Sequence, residues 1–194
     1  MHDDLIGTQT PERRITDPEE ALRLLEQVLP DLAAHRRPQP APIDWTLVEG
    51  RLGTGLPTDY KRLAEYYPSF ALSHEYLGVG LPSPGSELEL DGTTEALEIV
   101  HDWYEDDMSI GLQPHPAPGG LLPWTSSVEG DLFLWITAGS TPDDWPVTVA
   151  TRGGEWWHYA GGAVQFLAEL ASGTIEPWGL SRIDADVTVY EEGD

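Results

Sequence analysis

Carboxylates are the side chains of this sequence whose number and spacing could do chemistry. Glu98, Asp102, Glu105, Asp106 and Asp107 fall within ten residues. On a helix Asp102 and Asp106 lie one turn apart on the same side, where a divalent cation could bridge them. The segment lacks the alternating ligands and the central glycine of a calcium-binding loop. A metal-dependent hydrolase that uses Asp102 and Asp106 is therefore a remote alternative to a solvated acidic surface.

No other residue type shows a pattern that is typical of a catalytic or metal-binding site. The histidines, at positions 2, 35, 74, 101, 115 and 158, lack the spacing of metal ligands. His101 follows the apolar periodicity of Leu97 and Tyr104 and is predicted to pack in the core, and His158 is predicted to be structural. Cysteine is absent, as are phosphate-binding, zinc-protease and nucleophile-elbow motifs. The sequence predicts a non-enzymatic protein with no catalytic residue, no metal and no cofactor.

The charge of the chain is strongly negative and unevenly distributed. The 194 residues carry 10 Lys and Arg against 34 Asp and Glu, a formal net charge of −24. Residues 63–194 contain only two Lys or Arg side chains, Arg152 and Arg182, against 23 of the acidic side chains. Nucleic-acid binding and attraction to anionic membranes both need clustered bases, so the sequence predicts neither partner.

Three explanations remain for so many carboxylates. Like charges within a Debye length of about 8 Å repel one another, and folding brings them closer. The excess promotes solubility, adapts an ordinary domain to high salt, or binds a cationic partner that relieves the repulsion. Asp143 and Asp144 form a further acidic pair in a predicted turn, where aspartate is favoured by the backbone geometry alone.

The sequence also predicts where the protein resides. Its first residues contain no apolar core of a secretion signal, and no apolar run approaches the roughly 18 residues of a membrane span. The absence of cysteine fits a reducing compartment. We therefore expect a soluble, cytoplasmic protein.

The N-terminal region is predicted to be an appendage. Residues 1–16 are polar and aperiodic and are expected to form a loose arm. Asp17 and Pro18 then begin a helix, which presents leucines at spacings of three and four and ends or kinks near Pro30. A proline-rich linker follows at 35–42, which divides the chain into an arm, helix and linker at 1–42 and a main domain at 43–194.

The main domain begins with helices, continues with strands and closes with a helix, which is typical of an α+β fold. Predicted helices occupy residues 44–52, 57–67, 93–104 and 163–170, the third capped by Thr93 or Thr94. Predicted strands occupy residues 70–72, 76–81, 132–137, 147–151, 156–159 and, as an edge strand, 187–190. In the strand at 132–137 both faces are apolar, so it is expected to be central and covered on both sides. Trp156 and Trp157 should point to opposite faces, with one of them exposed.

Several motifs resemble the SUKH superfamily, most closely its Smi–Knr branch. The matching segments are Ile43-Asp44-Trp45, Val48-Glu49 and Leu52-Gly53 with Leu56-Pro57-Thr58-Asp59-Tyr60-Lys61, then Gly120-Leu121-Leu122-Pro123-Trp124, Gly130-Asp131-Leu132-Phe133-Leu134-Trp135, and Phe166-Leu167-Ala168-Glu169-Leu170 with Gly173. In order and spacing they cover residues 43–173. The resemblance implies a SUKH-like single α+β domain, with a largely antiparallel mixed sheet packed against helices.

The resemblance also implies a binding protein. Bacterial SUKH proteins include immunity proteins that neutralise polymorphic toxins, many of them nucleases. Such toxins are basic because they engage phosphates, and an acidic surface would steer their association. The expected partner is therefore a basic toxin domain, and the expected contact residues are Glu98, Asp102, Glu105, Asp106, Asp107, Asp143 and Asp144. The alternative is a cytoplasmic regulatory protein of the same fold with no toxin partner.

Overall fold

Six α-helices and one eight-stranded sheet make up the part of the chain that the structure, a computed structural model, describes, residues 3–191. The helices are α1 (Pro18–Val28), α2 (Pro30–Ala33), α3 (Trp45–Leu52), α4 (Thr58–Tyr66), α5 (Asp91–Glu105) and α6 (Ala163–Ser172). The strands are β1 (Leu5–Gln9), β2 (Phe70–Leu72), β3 (Leu77–Val79), β4 (Leu121–Ser127), β5 (Leu132–Ile136), β6 (Val147–Ala150), β7 (Trp156–Tyr159) and β8 (Val187–Val189). The α+β class predicted from the order of elements is confirmed.

The sheet is mixed but mostly antiparallel. Its strand order is β1-β7-β6-β5-β4-β3-β2-β8. All neighbours pair antiparallel except β1 and β7, which are parallel. The predicted C-terminal edge strand is confirmed, because β8 pairs with β2 and ends the sheet.

Helices cover both faces of the sheet, as the doubly apolar β5 requires. Phe133 and Trp135 point into the larger core, where they meet residues of α1, α3, α4 and α6. Leu132 and Leu134 point into a smaller core on the other face, together with residues of α5. This alternation follows from the two-residue period of a strand. It places α5 on one face and the other core-forming helices on the opposite face.

Local signals in the sequence begin and end the N-terminal helices. The Asp17 carboxylate accepts a hydrogen bond from the Glu19 N–H at 2.9 Å, which caps α1. Pro30 ends the α1 hydrogen-bond pattern and begins α2. Asp44 caps α3 in the same way through the Leu47 N–H, and Gly53 closes α3 in the left-handed conformation.

The N-terminal segment is more ordered than predicted. The sequence predicts a loose arm at residues 1–16, but β1 pairs with β7 and forms an edge of the sheet (residues 1 and 2 lie outside the described residues). The N–H of Trp156 donates to the Asp4 carbonyl at 2.8 Å, and that of Ala160 donates to the Gln9 carbonyl at 3.0 Å. Hydrophobic periodicity does not predict this strand, because its side chains are exposed or half-buried. Main-chain hydrogen bonds to β7 hold it in the sheet.

The first helix shares the larger core with the rest of the chain. Leu22, Leu25, Leu29 and Leu32 are all buried, as their spacing predicted. They pack in the same cluster as side chains of α4 and α6. The division of the sequence at residue 42 stays a prediction. No helix within residues 3–191 has both the length and the hydropathy of a membrane span.

Candidate partner-binding face

Helix α5 carries the acidic side chains that the sequence singles out. Its carboxylates recur at spacings of four and three, so they form one row along the exposed side of the helix. We call this set the α5 acidic row: Asp91, Glu95, Glu98, Asp102 and Glu105. Asp106 and Asp107 continue it beyond the last turn and are also exposed. The structure thus brings together five of the seven predicted contact residues.

The buried face of α5 differs from the predicted one. Ala96 and Val100 are buried, whereas His101 and Tyr104 are exposed, so the prediction of a core histidine at 101 is wrong. The helix turns Trp103 toward the sheet, where its ring meets Trp156 edge-on at 5.9 Å. The helix also begins at Asp91, earlier than the predicted caps Thr93 and Thr94.

Bases neutralise little of this face. Among residues 3–191, Glu98, Asp102, Asp106 and Asp107 have no ion-pair partner, and Glu105 meets only the His101 imidazole, at 3.4 Å. The bases of the chain are engaged chiefly across the sheet, on or beside the helices of the larger core. Their ion pairs there are Arg13–Glu20, Arg36–Glu26, Lys61–Glu49 and Arg62–Glu65. The α5 acidic row therefore meets no Lys or Arg among the described residues, whereas several acids beside the larger core are paired.

An open groove runs beside the α5 acidic row. It lies between α5 and the loop at 113–117, is shallow and open to solvent, and has a volume of about 720 Å³. Leu97 and Tyr104 contribute apolar surface from the helix, Pro114 and Pro116 contribute it from the loop, and Glu98 also lines the groove. The sequence did not reveal this groove, because the loop at 113–117 carries no helical or strand periodicity.

Close backbone packing holds the groove loop in place. A Cβ atom at Gly120 would lie 2.7 Å from the Ala117 carbonyl oxygen and 2.8 Å from both the His115 nitrogen and the Pro114 carbonyl oxygen. Only glycine fits there without a backbone shift. The Gln113 side-chain amide also donates a hydrogen bond of 3.0 Å to the Tyr104 hydroxyl, which joins the loop to α5.

Asp143 and Asp144 lie elsewhere, at a 3₁₀ turn (Pro142–Asp144) beside α4 on the opposite face of the sheet from α5. Asp143 accepts hydrogen bonds from the Thr58 N–H at 2.6 Å and the Thr58 hydroxyl at 3.0 Å. Asp144 accepts from the Thr141 N–H at 3.2 Å. These two carboxylates stabilise a helix start and a turn, and they do not join the α5 acidic row.

Two predictions about aromatic and imidazole side chains have different outcomes. Trp156 and Trp157 do point to opposite faces, but both are buried, so the expectation that one is exposed is wrong.

The predicted structural role of His158 fits its surroundings, because its Nδ1 lies 2.9 Å from the Thr148 hydroxyl. Burial lowers the pKa of His158, which favours the neutral ring.

Metal-ligating side chains meet at a different place from the one that the sequence suggests. In the described part of the chain, three potential ligand atoms come within 4.8 Å of one another at His74, which is exposed in the turn after β2, and at Asp184 and Asp186, which are half-buried in the segment before β8. Asp102 and Asp106 are exposed and have no such third ligand among the described residues.

Comparisons with known proteins leave the chain without an assigned family: no family model, no curated protein and no solved structure matches it.

Proposed function

We propose that this protein is a non-enzymatic, SUKH-like immunity protein that binds a basic toxin domain, of the nuclease class, through the α5 acidic row. The observation that carries the proposal is a row of exposed carboxylates, nearly free of base partners, beside an apolar groove. The motif resemblance supplies the class of protein, and the charge of the face supplies the class of partner.

The physical basis is complementarity of charge and shape. Several unneutralised carboxylates on one face attract a cationic protein over distances near a Debye length and accelerate its association. Protein interfaces also need apolar contact, and they are enriched in Tyr and Met. Ile99, Tyr104 and Met108 supply exposed apolar surface on and just after α5. Binding to the row would cover the phosphate-binding surface of a nuclease.

The proposal includes a cytoplasmic location, where an immunity protein meets a toxin that has entered the cell. Its support is the cysteine-free composition, which suits a reducing compartment.

The test is an affinity measurement with a matched charge control. The partner is first isolated by co-purification from the source organism and identified. Its dissociation constant is then measured by calorimetry for the wild type, for Glu98→Gln/Asp102→Asn, and for Glu12→Gln/Asp31→Asn. Both double variants remove two exposed carboxylates, but the second pair lies outside α5. We expect the α5 variant to bind about tenfold more weakly and the control to stay within about twofold of the wild type.

Salt dependence provides the second criterion. Raising NaCl from about 50 to about 300 mM should weaken the wild-type complex and reduce the difference between the wild type and the α5 variant, because salt screens exposed charges. Equal effects of the two double variants, or an affinity independent of salt, would contradict the proposal.

Two experiments distinguish the other candidate functions from an immunity protein: expression of the partner alone, and a measurement of metal binding. A regulatory protein of the same fold would bind a partner whose expression alone does not inhibit growth, whereas a toxin would inhibit growth unless this protein is co-expressed. A hydrolase that uses Asp102 and Asp106 would bind Mg²⁺, Mn²⁺ or Ca²⁺ in calorimetry. The Asp102→Asn variant would then lose that binding.

A further inference from the structure

A histidine and two aspartates from distant parts of the chain meet near the edge of the sheet that β8 forms. His74 is exposed in the turn between β2 and β3, whereas Asp184 and Asp186 are half-buried in the segment before β8. One potential ligand atom of each residue lies within 4.8 Å of those of the other two. His74 and Asp186 are 112 positions apart, so spacing along the sequence does not reveal this cluster.

The distances between the three side chains suit ligands of one metal ion. His74 Nδ1 lies 3.2 Å from Asp186 Oδ2, and His74 Nε2 lies 3.9 Å from Asp184 Oδ2. Two ligand atoms at about 2.0 Å from a tetrahedral Zn²⁺ ion are about 3.3 Å apart. The first pair therefore already has the spacing of two ligands. The imidazole is 79% exposed, so it can turn toward the second carboxylate without displacing other side chains.

Hydrogen bonds fix the turn that carries the imidazole against the segment that carries the carboxylates. The Ser73 N–H donates to the Asp186 carbonyl at 3.1 Å, and the Ser73 hydroxyl accepts from the Asp184 N–H at 3.0 Å. The His74 N–H donates to Asp186 Oδ2 at 2.7 Å, which orients that carboxylate. Ser73, His74 and Glu75 all have positive φ angles, of 57°, 55° and 64°, a conformation that is costly for residues other than glycine. The fold thus maintains a strained turn that keeps the imidazole beside both carboxylates.

The negative charge of Asp186 is poorly compensated. Among the described residues its only ion-pair partner is the His74 imidazole, and its Oδ1 atom is buried without a hydrogen-bond partner. Asp184 differs, because its Oδ1 pairs with the Arg182 guanidinium at 3.1 Å while its Oδ2 faces the imidazole. The two oxygens of a carboxylate share one charge, so a cation bound at Asp186 Oδ2 would compensate the whole group.

The donor atoms determine the class of metal. Mg²⁺ and Ca²⁺ prefer six or more oxygen ligands, whereas this cluster offers one imidazole nitrogen and two carboxylates. Zn²⁺ binds histidine and aspartate together and accepts water as a further ligand. Other divalent transition metals also bind imidazole, with affinities that follow the ion rather than the site.

We propose that His74, Asp184 and Asp186 bind a divalent transition-metal ion of the Zn²⁺ class, which fastens β8 to the turn between β2 and β3. Strand β8 has three residues and pairs only with β2, so few main-chain hydrogen bonds hold it in the sheet. An ion that binds only the folded arrangement stabilises it. The inference uses no residue of the α5 acidic row and does not depend on the proposed function.

Calorimetry of the full chain with ZnCl₂ tests the site. We expect one Zn²⁺ per chain, with a dissociation constant of roughly 1–100 μM, and at least about tenfold weaker binding of Mg²⁺ and Ca²⁺. At a free Zn²⁺ concentration about tenfold above the dissociation constant, the midpoint of thermal unfolding should rise by about 3–5 °C. By NMR, the imidazole nitrogens of His74 should shift, and the amides of β8 should exchange more slowly with solvent.

Three variants distinguish this site from the rest of the acidic surface. His74→Asn removes the imidazole, and asparagine tolerates the left-handed conformation of the turn. It should weaken Zn²⁺ binding at least about tenfold, as should Asp184→Asn. The matched control is His101→Asn, which removes another exposed imidazole that lies 3.4 Å from a carboxylate, that of Glu105. The control should bind Zn²⁺ within about twofold of the wild type.

The inference would be overturned by a lack of Zn²⁺ binding at about 1 mM, by binding that survives His74→Asn, or by an equal loss in His101→Asn. Binding of Mg²⁺ or Ca²⁺ as tight as that of Zn²⁺ would also overturn it, because carboxylates alone would then suffice. If His74→Asn fails to fold, Asp184→Asn and the imidazole signals of the wild type decide. The proposed function is judged separately, by the partner affinity of Glu98→Gln/Asp102→Asn.

Discussion

At the scale of single residues, buried carboxylates in this protein are held by hydrogen-bond donors instead of cations. Asp131 is fully buried. Its carboxylate accepts hydrogen bonds from the hydroxyls of Tyr76 and Ser127, both at 2.5 Å, and from the main-chain N–H of Arg152 at 2.8 Å. These bonds hold the turn between β4 and β5 against β3. A buried carboxylate that accepts several hydrogen bonds is stable without a salt bridge.

Asp59 makes the stability of the protein depend on pH. Its carboxylate accepts from the N–H groups of Tyr60 at 2.8 Å and Val164 at 3.1 Å, which connects the starts of α4 and α6. Burial raises its pKa above the ordinary value, and the two N–H groups oppose the rise only in part. The folded state therefore binds more protons than the unfolded state between the two pKa values, so this residue makes stability fall as pH rises.

We predict that Asp59→Asn reduces this pH dependence. An amide keeps one acceptor oxygen, so the variant should lose about 1 kcal/mol of stability at low pH through one missing hydrogen bond. The deficit should shrink as pH rises from about 4 to 7, because the wild type loses stability and the variant does not. Urea unfolding at several pH values measures both. A deficit that grows with pH would show that the native carboxylate has a lowered pKa.

At the scale of elements, what could be predicted from the sequence follows from which contacts are local. The ends of α1 and α3 were predictable because Asp17, Asp44 and Gly53 act within a few residues of their own position. The two faces of β5 were predictable because the side-chain alternation of a strand is local as well. Strand β1 was not, because its partner β7 lies about 150 residues further along the chain.

The candidate binding face was predictable only in part. The spacing of the acids gave one row on α5, but the rotation of the helix depends on Trp103 meeting Trp156, a contact between distant segments. The same holds for Asp143, whose sequence neighbours do not reveal its bond to Thr58. The groove depends on how the loop at 113–117 packs against α5, and no periodic signal encodes that.

Gly120 provides a prediction at this scale, because the groove loop as a whole depends on it. Gly120→Ala should destabilise the protein by about 2 kcal/mol, since the added methyl group would overlap three backbone atoms of the loop at 113–117. Gly50→Ala, in the middle of α3 with open surroundings, should stabilise it by about 0.5–1 kcal/mol through helix propensity. Urea unfolding of the two variants compares the same chemical change in opposite environments.

The groove should also lose its shape in Gly120→Ala. We expect NMR shifts of residues 113–117 and of the Tyr104 region of α5 in this variant, while the signals of α1 remain unchanged. Equal stability of Gly120→Ala and the wild type would contradict the close packing of the loop.

At the scale of the whole molecule, the acids that have base partners are unevenly distributed. Several acids beside the larger core form ion pairs with Lys or Arg, whereas the α5 acidic row meets no Lys or Arg among the described residues. Surface pairs add little stability each, but unpaired like charges repel collectively. The folded molecule therefore stores electrostatic repulsion on the side that is proposed to bind the partner, and a cationic partner would relieve it.

Salt should relieve part of the same repulsion in the isolated protein. Raising NaCl from about 0.05 to about 0.5 M shortens the Debye length from roughly 14 to roughly 4 Å, so the carboxylates of α5 cease to repel one another strongly. We predict a rise of roughly 3–6 °C in the midpoint of thermal unfolding, measured by circular dichroism.

Glu98→Gln/Asp102→Asn should show a smaller rise than Glu12→Gln/Asp31→Asn, because only the first pair lies in the acidic row. A chain that folds only in molar salt would favour halophilic adaptation, and equal rises in the two variants would show that the repulsion is spread over the whole surface.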